Sequence, residues 1–203
     1  MNENIRCFVA VQMSDDLCEA VWDIQKQLQK HSPMRGLRWV DAGDLHITLK
    51  FILGGVPVSQ LPRIVNALDE IALEWKPFTI QLKNLGTFPN IYRPSVIWLG
   101  VEEGEKELQG LFKTVEAKLR RLGLKAERRR YHPHLTLARV PKKWEQGKRR
   151  AVGKLIGPTK LPPLPACEIE AVALIRSILT PEGPDYMRLS NSIFGQAPVI
   201  SNQ

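Results

Sequence analysis

Long apolar runs are missing from this 203-residue chain, and so are the glycine signatures of the common nucleotide and nucleophile sites. No stretch approaches the roughly 20 consecutive apolar residues of a membrane-spanning helix. There is no GxGxxG, no P-loop and no GxSxG elbow, which sets aside dinucleotide binding, P-loop phosphoryl transfer and α/β-hydrolase chemistry. Cysteine is scarce: Cys7, Cys18 and Cys167 are odd in number, far apart and without a CxxC pair. They read as reduced thiols of a cytoplasmic protein, not as a disulfide frame or a zinc site. The first residues, Met1 to Arg6, lack the basic segment and apolar stretch of a secretory signal. Negative charge is also short, with 21 acidic against 29 basic residues and a net charge of +8. Such a surface attracts phosphate polymers. An apolar fraction of 43% is ample for a packed core.

Histidine is rare too, and its placement is informative. Two of the four histidines carry a Thr two residues later: His46-Ile47-Thr48-Leu49 and His134-Leu135-Thr136-Leu137. Leu45 to Ile52 and Leu135 to Val140 are short β-type runs bounded by turn residues, Gly43-Asp44 and Gly54-Gly55 for the first, Pro133 and Pro141 for the second. Strand side chains alternate faces, so each run buries its aliphatic residues and presents an imidazole and a hydroxyl together on the opposite face.

The rest of the chain supplies a frame. Ile5–Gln12 reads as a buried strand, and Asp15–Lys30 as a helix behind an N-cap at Ser14, with Leu17, Val21, Ile24 and Leu28 on one stripe. Leu37–Val40 is a short extended piece. Helices are expected over 59–74, 105–122 and 142–156, with Gly123 ending the third. Strands are expected over 78–88 and 96–101. A closing hairpin, 167–178 with 186–189, turns around Thr180–Pro184. The predicted fold class is α+β: two pseudo-symmetric lobes with mainly antiparallel sheets around a central cleft and helices outside. One bilobal domain spans 1–195, and 196–203 reads as a loose tail. Two basic runs, Lys118–Arg130 and Lys142–Arg150, flank the second motif. Taken alone they are equally a solvated helix face; their placement favours nucleic acid.

Two imidazoles with pKa values near neutrality let one act as acid and the other as base at a single pH. Opening a cyclic phosphodiester needs that pair, one to take a proton from the attacking water and one to protonate the leaving oxygen. Thr48 and Thr136 would donate hydrogen bonds to the non-bridging oxygens, and Arg139 would add a charged one. The scheme requires no metal and no cofactor. Each histidine alone also has a structural reading, as a hydrogen-bonded strand residue; the pairing argues for function. His132 and His134 lack a third ligand at recognisable spacing. His31 reads as a surface residue, and Trp22, Trp39 and Trp98 as core. Tyr92 and Tyr131 are candidates to stack on a base.

The two motifs, 88 residues apart, resemble those of the 2H phosphoesterase superfamily. The stretches Arg6–Ala10, Leu45–Phe51, Pro94–Val101, Pro133–Arg139 and Ser177–Gly183 with Tyr186 narrow the resemblance to the RNA 2′,3′-cyclic phosphodiesterase family, also called 2′-5′ RNA ligase. One departure is an extra residue before Gly54-Gly55, which touches loop contacts and not the motif. The resemblance implies metal-independent hydrolysis of a terminal 2′,3′-cyclic phosphate to a 2′-phosphate, with reversible 2′-5′ ligation associated. It implies His46 as proton donor, His134 as proton acceptor, and Thr48, Thr136 and Arg139 on the phosphate. The partners implied are RNA ends or nucleotides bearing the cyclic phosphate, met by a cytoplasmic monomer with no membrane association. Two alternatives remain open: a phosphodiesterase for a small cyclic or 2′-5′-linked nucleotide, and a non-catalytic RNA-binding module. The near symmetry of the motifs does not by itself distinguish acid from base.

Overall fold

The computed structural model of the chain describes residues 4–180 and 183–197. Strands β1 (Asn4–Gln12), β2 (Arg38–Trp39), β3 (His46–Pro57), β4 (Phe78–Phe88), β5 (Val96–Glu103), β6 (His134–Arg139), β7 (Cys167–Ile169), β8 (Ala171–Leu179) and β9 (Pro184–Ile193) form one antiparallel sheet. Its order is β7-β4-β5-β6-β3-β1-β8-β9, with β2 added beside β6. The expected halves are therefore the two wings of a continuous sheet, joined where β6 meets β3. Helices α1 (Asp15–Gln29), α2 (Leu61–Glu74), α3 (Glu105–Arg121) and α4 (Gln146–Ile156) pack on one face.

The wings curl. The run Cys167–Ile178, read from sequence as one strand, breaks at Glu170. Its first three residues pair with β4 at one end of the sheet, and the remainder pairs with β1 near the other. One residue joins strands that lie at nearly opposite ends of the order, so the sheet must bend until those ends approach. A strand that changes partners at a bend is the usual way a curled sheet makes a corner. Its hairpin partner is also longer than the expected 186–189, running over the whole of β9 because it pairs with β8 along its length. The tip residues 181–182, and 198–203 of the expected tail, lie outside the described residues.

The helix-side core follows from the spacings in the sequence. Leu17, Val21, Ile24 and Leu28 of α1, Ile64, Leu68 and Ile71 of α2, and Leu108, Leu111, Val115 and Leu119 of α3 are buried against Ile47, Leu49, Leu135 and Leu137 of the motif strands. Full burial of each such side chain contributes about 1.5–3 kcal/mol. Ser14 has the extended backbone of an N-cap but makes no side-chain cap bond. Asp16 instead accepts from the Leu17 N–H at 2.8 Å, and two acidic residues in the first turn suit the helix dipole. The helix expected from Ser59 begins at Leu61, after a 3₁₀ turn and with proline in its first turn. The one expected from Lys142 begins at Gln146. Upstream, Arg149 binds four backbone carbonyls, of Pro94, Pro141, Lys142 and Trp144, at 2.8–3.1 Å, and those bonds hold 141–144 as a turn.

Gly54-Gly55, expected as the turn after the first motif strand, lies inside β3. Cys7 faces Ile52 and Ile5 faces Val56, so three residues of β3 lie opposite one of β1. Both glycines have φ near +80°, at +86° and +73°. A Cβ on Gly55 would lie 2.7 Å from the Ile5 carbonyl oxygen. The extra residue of this segment is thus absorbed in a bulge, where glycine is required.

Candidate active site

The central pair of strands builds the site. Ile47 is directly opposite Leu135 in the antiparallel register of β3 and β6, and both are fully buried on the helix side. One residue to either side, the register sets His46 opposite Thr136 and Thr48 opposite His134. The four side chains therefore emerge crosswise on the other face, related by a local two-fold between Ile47 and Leu135. They line one cleft of about 500 Å³ together with Arg139.

Each imidazole is held the same way. His46 Nδ1 lies 2.6 Å from the Asp44 carbonyl oxygen, and His134 Nδ1 lies 2.7 Å from that of His132. A carbonyl only accepts, so Nδ1 carries the proton in both rings and Nε2 is the nitrogen left for chemistry. Each ring also rests against a phenylalanine at 4.8 Å between centroids: Phe8 for His46 and Phe88 for His134. Tyr186 stands edge-on to His46 at 5.3 Å, while Trp98 and His132 complete the wall beside His134. Burial pushes the pKa of His46 down to about 4, more than the Asp44 hydrogen bond restores; Arg139 and His134 push in the same direction. His134 is lowered for the same first reason, opposed by its bond to the His132 carbonyl. Both rings are neutral at pH 7 in the free protein, and an anion between them would raise both.

Thr48 and Thr136 are half-buried, and among the described residues neither hydroxyl has a hydrogen-bond partner. Two uncommitted donors beside two Nε2 atoms suit the oxygens of a phosphate. Arg139 is exposed at the end of β6 and close enough to lower the pKa of both histidines, and it donates a hydrogen bond to Tyr186. The structure thus brings together all five residues singled out in the sequence. Among the described residues no three His, Cys, Asp or Glu side chains cluster as metal ligands. No helix among them is long and apolar enough to cross a membrane.

The aromatic assignments need correction. Tyr131 lines the cleft and stacks flat on Phe112 at 4.3 Å, so one face of its ring is taken by packing, and burial raises its pKa. Tyr92 is exposed outside the cleft. Trp22 is 39% exposed and not core. Trp98 is opposite Thr136 in register and so belongs to the motif face. Its indole lies over Gly86, where a Cβ would come within 2.2 Å of it. Phe8, Phe88 and Trp98 were invisible as site residues because each is an apolar residue in an apolar strand. The nearest sequence signal is Gly86, which leaves room on β4 for the ring.

Lys50 was missed for a different reason. A bulge at Leu49 shifts the register, so Val9 faces Lys50 while Ala10 faces Thr48. Lys50 therefore turns to the helix side and is 2% exposed. Its Nζ donates to Glu116 at 2.6 Å and to the Lys125 carbonyl at 2.8 Å. The second oxygen of Glu116 accepts the Glu127 N–H at 3.0 Å. The loop after α3, whose Arg129 and Arg130 line the cleft, is tied to the first motif strand through this ion pair.

A profile described as the 2′-5′ RNA ligase superfamily matches residues 13–179. A protein of Archaeoglobus fulgidus named RNA 2′,3′-cyclic phosphodiesterase is 37% identical over 185 residues, covering 91% of this chain and 98% of its own. One of Methanocaldococcus jannaschii with the same name is 37% identical over 184 residues, with coverage of 90% and 96%. Among solved structures, TT0787 of Thermus thermophilus is 27% identical, covers 94% of this chain and 98% of that one, and has a TM-score of 0.74. E. coli LigT complexed with 3′-AMP shares the fold at 23% identity and a TM-score of 0.73, with coverage of 96% and 100%.

Proposed function

This chain belongs to the 2′-5′ RNA ligase superfamily, and we propose that its cleft hydrolyses the 2′,3′-cyclic phosphate at an RNA end to a 2′-phosphate by two-histidine acid–base catalysis. The observation that carries the reading is the crosswise pairing of the two motifs about Ile47 and Leu135, which sets two free Nε2 atoms and two free hydroxyls around one point.

In the reaction, His134 Nε2 takes a proton from a water whose oxygen attacks phosphorus. The P–O3′ bond breaks, and His46 Nε2–H delivers its proton to O3′. The product carries a 2′-phosphate and a free 3′-hydroxyl, and the two histidines have exchanged protonation states. Each acid or base typically contributes about 10²–10⁴-fold. The assignment of acid and base follows the family resemblance. His46 is unprotonated at pH 7 in the free protein, so its proton must arrive with the substrate. The anionic phosphate supplies the reason, because it offsets the charge of Arg139 and favours the imidazolium. Thr48, Thr136 and Arg139 hold the non-bridging oxygens as charge grows on them. In the parallel ligation a ribose 5′-hydroxyl replaces water as the nucleophile, the P–O3′ bond breaks as before and a 2′-5′ linkage forms, with the same groups moving the same protons. Water is in vast excess, so hydrolysis dominates in dilute solution.

The test is hydrolysis of an oligoribonucleotide ending in a 2′,3′-cyclic phosphate, with EDTA present, by the wild type, His46→Ala and His134→Ala. Formation of a 2′-phosphate, lost in both variants, is the expected result. A 3′-phosphate product, or activity that survives either substitution, would overturn the reading.

A further inference from the structure

A second groove, of about 870 Å³, opens from the motif cleft and is larger than it. Val40, Asp44, Val96, Arg139 and Tyr186 line both, so a polymer whose end occupies the cleft has a continuous way out. Five of its lining residues are cationic, Arg38, Arg139, Lys142, Lys143 and Arg149, against the three acids Asp41, Asp44 and Asp185.

Two features indicate that these cations await an anion. Arg38 of β2 is directly opposite Arg139 of β6, and both are exposed. Like charges directly opposite each other on paired strands are destabilising unless a counter-charge lies between them. Among the described residues neither arginine has an ion-pair partner, and the same holds for Lys142 and Lys143. The second feature is the platform. Arg149 spends its guanidinium on four backbone carbonyls of the two segments that frame the groove, and the Val140 N–H donates to the Ser95 carbonyl at 2.9 Å. Lys142 and Lys143 thus project from a braced turn, which lowers the entropy lost when they meet a ligand.

We infer that Arg38, Lys142 and Lys143 bind the backbone phosphates on the 5′ side of the terminal nucleotide, so that the groove selects an RNA strand over a free cyclic nucleotide. The inference rests on the proposed function, which puts the cyclic 3′ end in the cleft and leaves only the 5′ side of the strand to be held. A second exit past Phe51, Leu53 and Leu179 offers only Arg6 in addition to the shared Arg139, and its apolar wall suits a phosphate backbone less well.

The experiment compares a 2′,3′-cyclic mononucleotide with a short oligoribonucleotide ending in the same group, across a salt series. The proteins are the wild type, Arg38→Ala/Lys142→Ala/Lys143→Ala, the single Arg6→Ala, and Lys76→Ala/Lys113→Ala as a charge control outside the grooves. The expected result is an oligonucleotide KM about tenfold below that of the mononucleotide in wild type, an advantage that shrinks with salt. The triple variant loses that advantage and about two units of the logarithmic salt slope, with mononucleotide kinetics unchanged, which also shows that it is folded. Equal KM values for the two substrates in wild type would overturn the inference and leave the proposed function standing. So would an advantage that survives the triple substitution, or one lost in Arg6→Ala instead. Turnover of neither substrate by the wild type would overturn both.

Discussion

The surroundings of His46 and His134 are built to one plan and finished differently. Each ring donates through Nδ1 to the carbonyl two residues upstream, and each has a phenylalanine at 4.8 Å. The first motif begins a strand of 12 residues, paired along most of its length with β1, and His46 is withdrawn between Phe8 and Tyr186. The second motif begins a strand of six, entered from a basic loop and followed by Pro141, and His134 stands against Phe88, Trp98 and His132. The shared plan gives each motif the same tautomer and the same free nitrogen. The difference gives His46 the deeper loss of proton affinity, to a pKa of about 4. A duplicated sequence element thus supplies two equal groups, and the unequal packing around them sets their proton affinities apart.

The largest effect expected from breaking the plan is at the rings themselves. His46→Ala and His134→Ala should each lower kcat by about 10²–10⁴-fold, and the double variant by less than the product of the two, because one missing partner already stops proton transfer. Single-turnover rates on the cyclic-phosphate oligonucleotide decide this. Next are the hydroxyls. Thr48→Val and Thr136→Val should each cost about 10²-fold in kcat, the magnitude of one lost donor to a developing oxyanion; a rise in KM alone would mean that the hydroxyls bind substrate and transition state equally.

A third substitution separates the halves. Lys50→Met leaves the partly buried Glu116 without its cation, and should lower stability in urea unfolding by up to about 3 kcal/mol, the low end for breaking a buried pair. Lys50→Met/Glu116→Gln should recover much of that loss. No structurally matching lysine ties the second motif, so the effect belongs to the first half alone among the described residues.

The pH dependence sharpens the difference. Both imidazoles are held below 6.5 in the free protein, so the bell of kcat/KM should lie on the acid side of that value. It falls as pH rises past the upper pKa, where the pair has lost its one proton, and falls again below the lower, where the pair holds two. The kcat profile reads the complex and should shift to higher pH, because bound phosphate favours both imidazolium forms. Identical profiles for kcat and kcat/KM would show that phosphate does not charge the rings. Smallest is the change from the ring contacts. Phe8→Leu should raise the His46 pKa, by NMR titration, more than Phe88→Leu raises that of His134, since desolvation is the largest cause for His46 and Phe8 lies flattest against it, at 31° against 88°.

Much of this was legible in the chain. Helical stripes such as Leu17-Val21-Ile24-Leu28 are local, and α1 lies within one residue of its expected span. The two His-x-Thr motifs read correctly as strands because alternation and flanking turn residues are also local. The β3 glycines misled because a bulge and a turn use the same residues and the same positive φ. The break at Glu170 was illegible because nothing in Cys167–Ile178 itself says that its first residues pair with β4 and the rest with β1.

What the sequence determined by itself is the chemical equipment: two imidazoles and two hydroxyls, each on a face opposite buried aliphatics, in a chain of strong positive charge. Those follow from residue identity and from a period of two. What only the tertiary structure decided is that the two motifs pair with each other through Ile47 and Leu135, that Lys50 turns inward at a bulge, and that Arg38 comes to face Arg139. Register between strands distant in sequence depends on which faces are buried and where extra residues are absorbed, and a one-residue shift there reverses every side chain that follows.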